Sequence, residues 1–225
     1  MTYPVNVIVR PVSGTRNRLT TAFRPFLAIP HTLLVGPIYW SWRTGGMGLL
    51  GAAAYLMSIY TWVLLLCGRE QPQGMRDFAL YYLRWRTRAL AYMALFIDRY
   101  PSFGDDEYPA ALEVQPLTAV HDRRDVGLRL LLAIPHIVVL AFILTAWLVT
   151  TVIAWFAILL TSTYPRGLME FGIGVMQWAL RVEAYLLFLT DAYPPFEIAG
   201  ITDRPVTTPT PASDVLILPA TDIAR

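Results

Sequence analysis

Residues 130–160 read LLLAIPHIVVLAFILTAWLVTTVIAWFAILL, thirty-one positions without a charged side chain and with one histidine, His136. A bilayer crossing takes about 20 consecutive apolar residues. The core helix of a soluble domain needs only an apolar stripe on one face. This run predicts a mainly α, polytopic membrane protein. Composition points the same way: of 225 residues, 56% are hydrophobic and 15% charged, against roughly 45–50% and 25% in soluble domains. Seven tryptophans and twelve tyrosines, many near the ends of apolar runs, fit the aromatic belts of membrane interfaces. A net charge of +2 is too small and dispersed for nucleic-acid binding.

Working outward, the stretch around His136 has a counterpart. Tyr3 to His31 aligns without a gap onto Tyr108 to His136 at an offset of 105, sharing Pro11/Pro116, Arg18/Arg123, Arg24/Arg129 and AIPH at 28–31 and 133–136. Trp62 to Phe103 aligns onto Trp155 to Phe196 at an offset of 93. Here the shared residues include Pro72/Pro165, Trp85/Trp178, Arg88/Arg181, Tyr92/Tyr185, Asp98/Asp191 and a Tyr-Pro-x-Phe string. Such order and spacing predict two tandem copies of one unit: 1–107 with a strand, two transmembrane helices and an interfacial helix; 108–200 with a strand and two transmembrane helices. Residues 201–225, rich in proline and threonine, read as a flexible tail.

Each unit opens with an extended segment. Val5, Val7 and Val9 alternate with polar residues between Pro4 and Pro11, and Leu112 with Val114 does so between Pro109 and Pro116, a strand pattern. An unpaired strand is not tolerated in lipid, so the two should pair with each other in a small cytoplasmic sheet, with Phe196 to Ile198 as a further strand. Membrane entry follows through AIPH. In the second copy, 128–160 reads as one long helix. In the first, Arg43, Gly45 and Gly46 suggest a loop between crossings at about 26–42 and 47–67. Residues 168–190 are apolar enough to cross. The matching 75–97 carries Arg84, Arg86 and Arg88, which would cost on the order of 8–10 kcal/mol at the bilayer centre, so an interfacial position is expected. Arginine placement puts both termini in the cytoplasm, with four crossings. Residues 1–20 lack a signal peptide's apolar stretch, and lone Cys67, within an apolar run, should be a buried packing residue.

Three strings, RLLLAIPH at 129–136, AWFAILLTSTYPRGLMEF at 154–171 and RVEAYLLFLTDAYPPF at 181–196, resemble an uncharacterised family of bacterial, often actinobacterial, membrane proteins known only as a domain of unknown function. The resemblance covers roughly residues 3–200 and implies a bacterial inner-membrane protein with no established activity. The first copy departs from it at 67–74, where CGREQPQG replaces the TSTYPRG form.

Candidate chemistry is sparse. His31 and His136 occupy equivalent positions and could ligate one haem or metal between the copies. The simpler reading has each bonding a carbonyl freed by the adjacent proline, or sitting at the headgroups. Arg88/Arg181 and Asp98/Asp191 suggest an anionic headgroup site, an internal ion pair or snorkelling arginines. The Phe/Trp/Tyr stripe at 78, 85, 92 and 171, 178, 185 reads as packing or interface anchoring. His121 and the run Asp105-Asp106-Glu107 read as solvated. No catalytic signature or metal-ligand cluster is present in the sequence. The expectation is a non-enzymatic, cofactor-free accessory or scaffold subunit in the lipid bilayer. It would associate with a partner membrane protein or itself, with a lipid site framed by Arg24, Arg129 and Arg181. A small transporter or channel is the alternative, and a haem-binding electron carrier the third reading.

Overall fold

The computed structural model describes residues 3–12, 14–38, 47–102, 107–116 and 122–198. Several expectations fall outside them: the loop at 43–46, the pair Asp105-Asp106, His121 and the tail 201–225. The described chain is mainly helical with one two-stranded antiparallel sheet.

Strand β1 (Val5–Val9) pairs with β2 (Ala110–Val114) in the register Val5↔Val114, Val7↔Leu112, Val9↔Ala110. The alternation anticipated from sequence sets the faces: Val5, Val7, Ala110 and Leu112 are buried, while Asn6, Ala111 and Glu113 are exposed. Phe196 to Ile198 forms no strand, and the sheet keeps two.

Helix α1 (Arg18–Leu27) starts at Asn17, whose side chain accepts from the Leu19 and Thr20 amides. It breaks at Ala28 into α2 (Ile29–Val35). Pro25 and Pro30 lie five residues apart, and each removes a helix hydrogen bond and crowds the preceding turn. Gly36, at φ 84°, followed by Pro37, then stops α2. The crossing expected at 26–42 is therefore not one helix. In α5 (Arg123–Thr161) a lone Pro135 sits inside a continuous helix, about 58 Å long at 1.5 Å per residue. Asp122 caps its start, and Ser162 ends it in the left-handed region at φ 60°.

Helices α3 (Gly48–Leu66) and α5 are the two long and apolar enough to cross a membrane among the described residues, with mean hydropathies of 1.9 and 2.6. Cys67 lies one position past α3 and is exposed, contrary to the expected burial. The apolar run ends at that turn, so nothing packs over the thiol. Prolines 72 and 165 precede α4 (Gln73–Met93) and α6 (Arg166–Leu186), where a residue without a free N–H costs the helix nothing. The crossing expected at 168–190 lies on α6, which is buried from Gly172 onward by protein. Of the arginines expected at an interface on α4, Arg84 is exposed, Arg88 half-buried and Arg86 buried.

The elements form three layers. The sheet packs on α4 and α6, and these pack in turn against α2, α3 and α5. The core lies in the middle layer around Leu83, Leu90, Phe96, Met176 and Leu180, closed by Trp147 of α5. Gly172 permits that closure. A Cβ there would stand 2.6 Å from the Trp147 indole nitrogen and 2.8 Å from Phe96. The outer helices turn large apolar side chains outward, among them Phe26, Leu33, Leu56, Ile59, Leu131, Phe142, Val149, Phe156 and Leu160. An apolar exterior on this scale marks a surface that faces something other than water.

Candidate functional site

Two constellations of buried polar side chains hold the helices together, built from the same residue types. In one, Arg24 on α1 donates through Nη1 to the Ile97 carbonyl at 3.2 Å and through Nη2 to Asp98 at 2.8 Å. Its guanidinium lies 4.7 Å from the Tyr92 ring centre. In the other, Arg129 on α5 donates through Nη1 to the Tyr185 carbonyl at 2.9 Å and through Nη2 to Asp191. It stacks 4.5 Å from Tyr185 and 4.3 Å from Phe188. Both arginines are almost fully buried. Arg16 joins the first site: its Nη1 reaches Asp98 at 2.9 Å and its Nη2 the Phe96 carbonyl at 3.1 Å. Among the described residues, Asp98 thus serves two guanidinium groups.

Each site is shaped by the end of a helix. After α4 the chain turns through Leu95 at φ 66°, with Leu95 N–H donating to Tyr92 and Phe96 N–H to Ala91. After α6 it turns through Phe188 at φ 58°, with Phe188 N–H donating to Tyr185 and Leu189 N–H to Ala184. This turn ordinarily uses glycine, and a larger residue costs about 1 kcal/mol or more. Phe188 offsets that cost with its ring beneath Arg129.

The histidines lie beside these sites. The Trp85 indole N–H donates to His31 Nδ1 at 3.3 Å, and that of Trp178 to His136 Nδ1 at 3.2 Å. Tyr100 and Tyr193 stand 4.9 Å from the respective imidazoles, and Phe196 stacks on His136 at 3.8 Å. Both histidines are fully buried. The carbonyl and headgroup readings are not met, because Nδ1 accepts from an indole, neither Nε2 bonds a carbonyl among the described residues and neither ring sits at the surface. The Thr32 hydroxyl donates to the Ala28 carbonyl at 2.9 Å, alongside its own amide. An indole donor at Nδ1 leaves the neutral ring's proton on Nε2. A haem or metal ligand would need that lone pair, so the geometry argues against ligation through Nε2. No group of three metal-ligating side chains occurs among the described residues.

The ion pairing also differs from expectation. Asp98 and Asp191 pair with Arg16, Arg24 and Arg129 and not with Arg88 or Arg181. Arg181, half-buried on α6, lies over the Tyr3 ring at 5.6 Å, and its Nε has no hydrogen-bond partner. It borders an open groove of about 1010 Å³ along the sheet with Tyr3, Asn6, Glu113, Tyr193 and Glu197. Tyr3 donates to the Ala192 carbonyl at 3.0 Å and Tyr108 to that of Arg99 at 2.7 Å. Burial pushes both phenols well above the ordinary tyrosine value, opposed at Tyr3 by Arg181 and at Tyr108 by Arg24.

Sequence reasoning missed one further site. Arg86 of α4 reaches Glu183 of α6 at 2.8 Å and donates to the Val35 carbonyl. Tyr55, Tyr82 and Trp147 join them around a cavity of about 30 Å³, room for one water. The aligned positions in the other half hold Ala179 and Leu90, so no repeated pattern drew attention to the pair. A carboxylate, Glu183, within the buried apolar stretch of α6 was the available signal.

Residues 123–197 match a family described as a domain of unknown function, DUF4389, which covers β2's following helix pair and the Arg129 and His136 sites. No curated protein matches the chain. No solved structure matches it either.

Proposed function

We propose that the protein is a non-catalytic module of a bacterial plasma membrane, built from two copies of one unit, that serves as an accessory or scaffold subunit. The observation that carries the membrane reading is the exterior of α3 and α5, apolar along its length and facing outward. The two-copy reading is supported by paired contacts at aligned positions: Arg24–Asp98 with Arg129–Asp191, Trp85–His31 with Trp178–His136, and left-handed Leu95 with Phe188. An accessory role is supported by how the polar side chains are spent, in holding helices together within each unit.

Arg24 and Arg129 are engaged inside the protein, Arg24 also bordering a largely apolar pocket of about 470 Å³, and Arg181 borders the groove along the sheet. That groove is the proposed contact for a partner's acidic segment. The transporter reading is less well supported: the cavity beside Arg86 and Glu183 has room for one water, the pocket of about 470 Å³ between α1, α2 and α5 is lined mostly by apolar side chains, and each histidine is enclosed in its own unit. Purification of a tagged form from its membrane, with mass spectrometry of retained proteins and lipids, tests the proposal. A stoichiometric partner, reduced by Arg181→Ala, or lipid retained on the outer helices is the expected result. A bare monomer with neither would count against it.

A further inference from the structure

We infer that the protein sits in one leaflet of the bilayer, with α5 lying along the membrane and not crossing it. This rests on the membrane-embedded, two-copy reading above and goes beyond it in naming the surface and its depth.

The sheet register supplies the axis. Its centre is the pair Val7↔Leu112, which are aligned positions at the offset of 105. In an antiparallel ladder, residues directly opposite each other are related by a local dyad, which runs perpendicular to the sheet. One sheet face is exposed and the other packs on α4 and α6. The axis relating the units therefore runs from the exposed sheet face, through the middle layer, to the outer helices.

Two hydrogen bonds then fix the direction of α5. The Trp62 indole donates to the Val126 carbonyl at 2.9 Å, and the Trp155 indole to the Thr21 carbonyl at 2.8 Å. Trp62 aligns with Trp155, and Thr21 with Val126, so a twofold axis puts both contacts at one height. Val126 is near the start of α5 and Trp155 near its end, about 43 Å apart along the helix. A helix joining two points of equal height runs perpendicular to the axis.

Two placements remain. If α5 crossed the bilayer, the axis would lie in the membrane plane, and whatever surrounds the axis would sit near mid-depth. The exposed sheet residues Asn6 and Glu113 are there, and so is the exposed Arg84, whose aligned residue Gln177 donates to the Val7 carbonyl at the sheet centre. An arginine at the bilayer centre alone costs about 2.5–3.5 kcal/mol on insertion scales. The exposed apolar side chains of α5 run from Leu128 to Leu160, about 48 Å of helix against a hydrocarbon core of about 30 Å. With the axis along the membrane normal, both conflicts vanish. The outer helices are immersed while the sheet and Arg84 face water, as for an interfacial helix buried in the headgroup and acyl boundary. Arg123 and Arg124 at one end of α5, and Arg18 and Arg166 at the other, are then held at headgroup height. Arg18 donates to Ser162 and to the Leu160 carbonyl there.

The test uses the full chain in lipid nanodiscs, with Cys67→Ser and single cysteines introduced at Leu128, Phe142, Val149 and Leu160. All are exposed positions, so the fold tolerates them. Spin labels there report depth from the balance of oxygen and a water-soluble nickel chelate. One shared depth, with Phe142 no deeper than the ends beyond the ordinary helical ripple, is expected. A depth that reaches the bilayer midplane at Phe142 and returns to the headgroups at both ends would overturn the inference and leave the membrane reading standing. Chelate access at every position would overturn both. In sealed vesicles, Asp122→Cys and Thr163→Cys should react with an impermeant thiol reagent from the same side; labelling from opposite sides would refute it.

Discussion

Replacing Asp98 with asparagine leaves two buried guanidinium groups, Arg16 and Arg24, without their carboxylate, and the same change at Asp191 strands Arg129. Removing one partner of a buried pair costs about 3–5 kcal/mol. Both aspartates are roughly a third exposed, 32% and 30%, so water screens part of the attraction, and the amide oxygen still accepts a hydrogen bond. Halving the cost gives about 2 kcal/mol for Asp191→Asn, and stranding both Arg16 and Arg24 brings Asp98→Asn to about 3–4 kcal/mol. For a chain of this size 1 kcal/mol moves Tm by about 2–4 °C, so losses of about 4–8 °C and about 6–16 °C are expected. The assay is thermal unfolding of the nanodisc-embedded protein followed by tryptophan fluorescence. Adding Arg16→Gln to Asp98→Asn should recover part of the larger loss, since coupled neighbours do not add. A loss at Asp98→Asn no larger than the ~2 kcal/mol expected for one stranded guanidinium would refute the argument that this carboxylate holds both Arg16 and Arg24.

Gly172→Ala should destabilise by about 1–3 kcal/mol, because its Cβ would press on Trp147 and Phe96. Gly167→Ala, with open space around it, should be neutral or gain up to about 1 kcal/mol of helix propensity. Nitrogen NMR of labelled protein should find His136 as the tautomer with its proton on Nε2, and Trp178→Phe should mix the two tautomers; a proton on Nδ1 in the unaltered protein would contradict the Trp178 contact. The raised phenols of Tyr3 and Tyr108 favour the protonated, folded form. Their contribution is intact below the unfolded value of about 10 and is lost as pH rises further. Melting temperature measured from pH 8 to 12 should fall above pH 10, less steeply once both are phenylalanine.

Local signals carried most of the architecture. Alternating valines between prolines marked β1, and the apolar run around His136 marked α5. Direction is what apolar length does not encode. Leu130 to Leu160 reads alike for a helix that crosses lipid and one that lies in it, and α6 is apolar because protein surrounds it. The break at Ala28 depends on Pro25 and Pro30 acting together, while the aligned Pro135 is absorbed within a helix. The aligned Arg24/Arg129 and Asp98/Asp191 were visible as candidates, but their pairing was not, because the partners lie on elements far apart in sequence. Arg16 aligns with His121, and Arg86 and Glu183 with Ala179 and Leu90, so matching identities gave them no weight. The tryptophans were read as packing, since spacing alone does not reveal that an indole N–H points at an imidazole.

The sheet joins Val5 to Val114, and this sets an order of events during synthesis. Closing a loop of that length costs about 4 kcal/mol in chain entropy, and the ribosome must release β2 before β1 has a mate. Until then the N-terminal unit emerges with a bare strand edge, the kind of edge that pairs with any other available. Val5 to Val9 of one nascent chain can pair with the same segment of another, since the native partner is its aligned counterpart. Crowded translation therefore favours a strand-exchanged dimer, and slowing elongation just after residue 114 should change its yield.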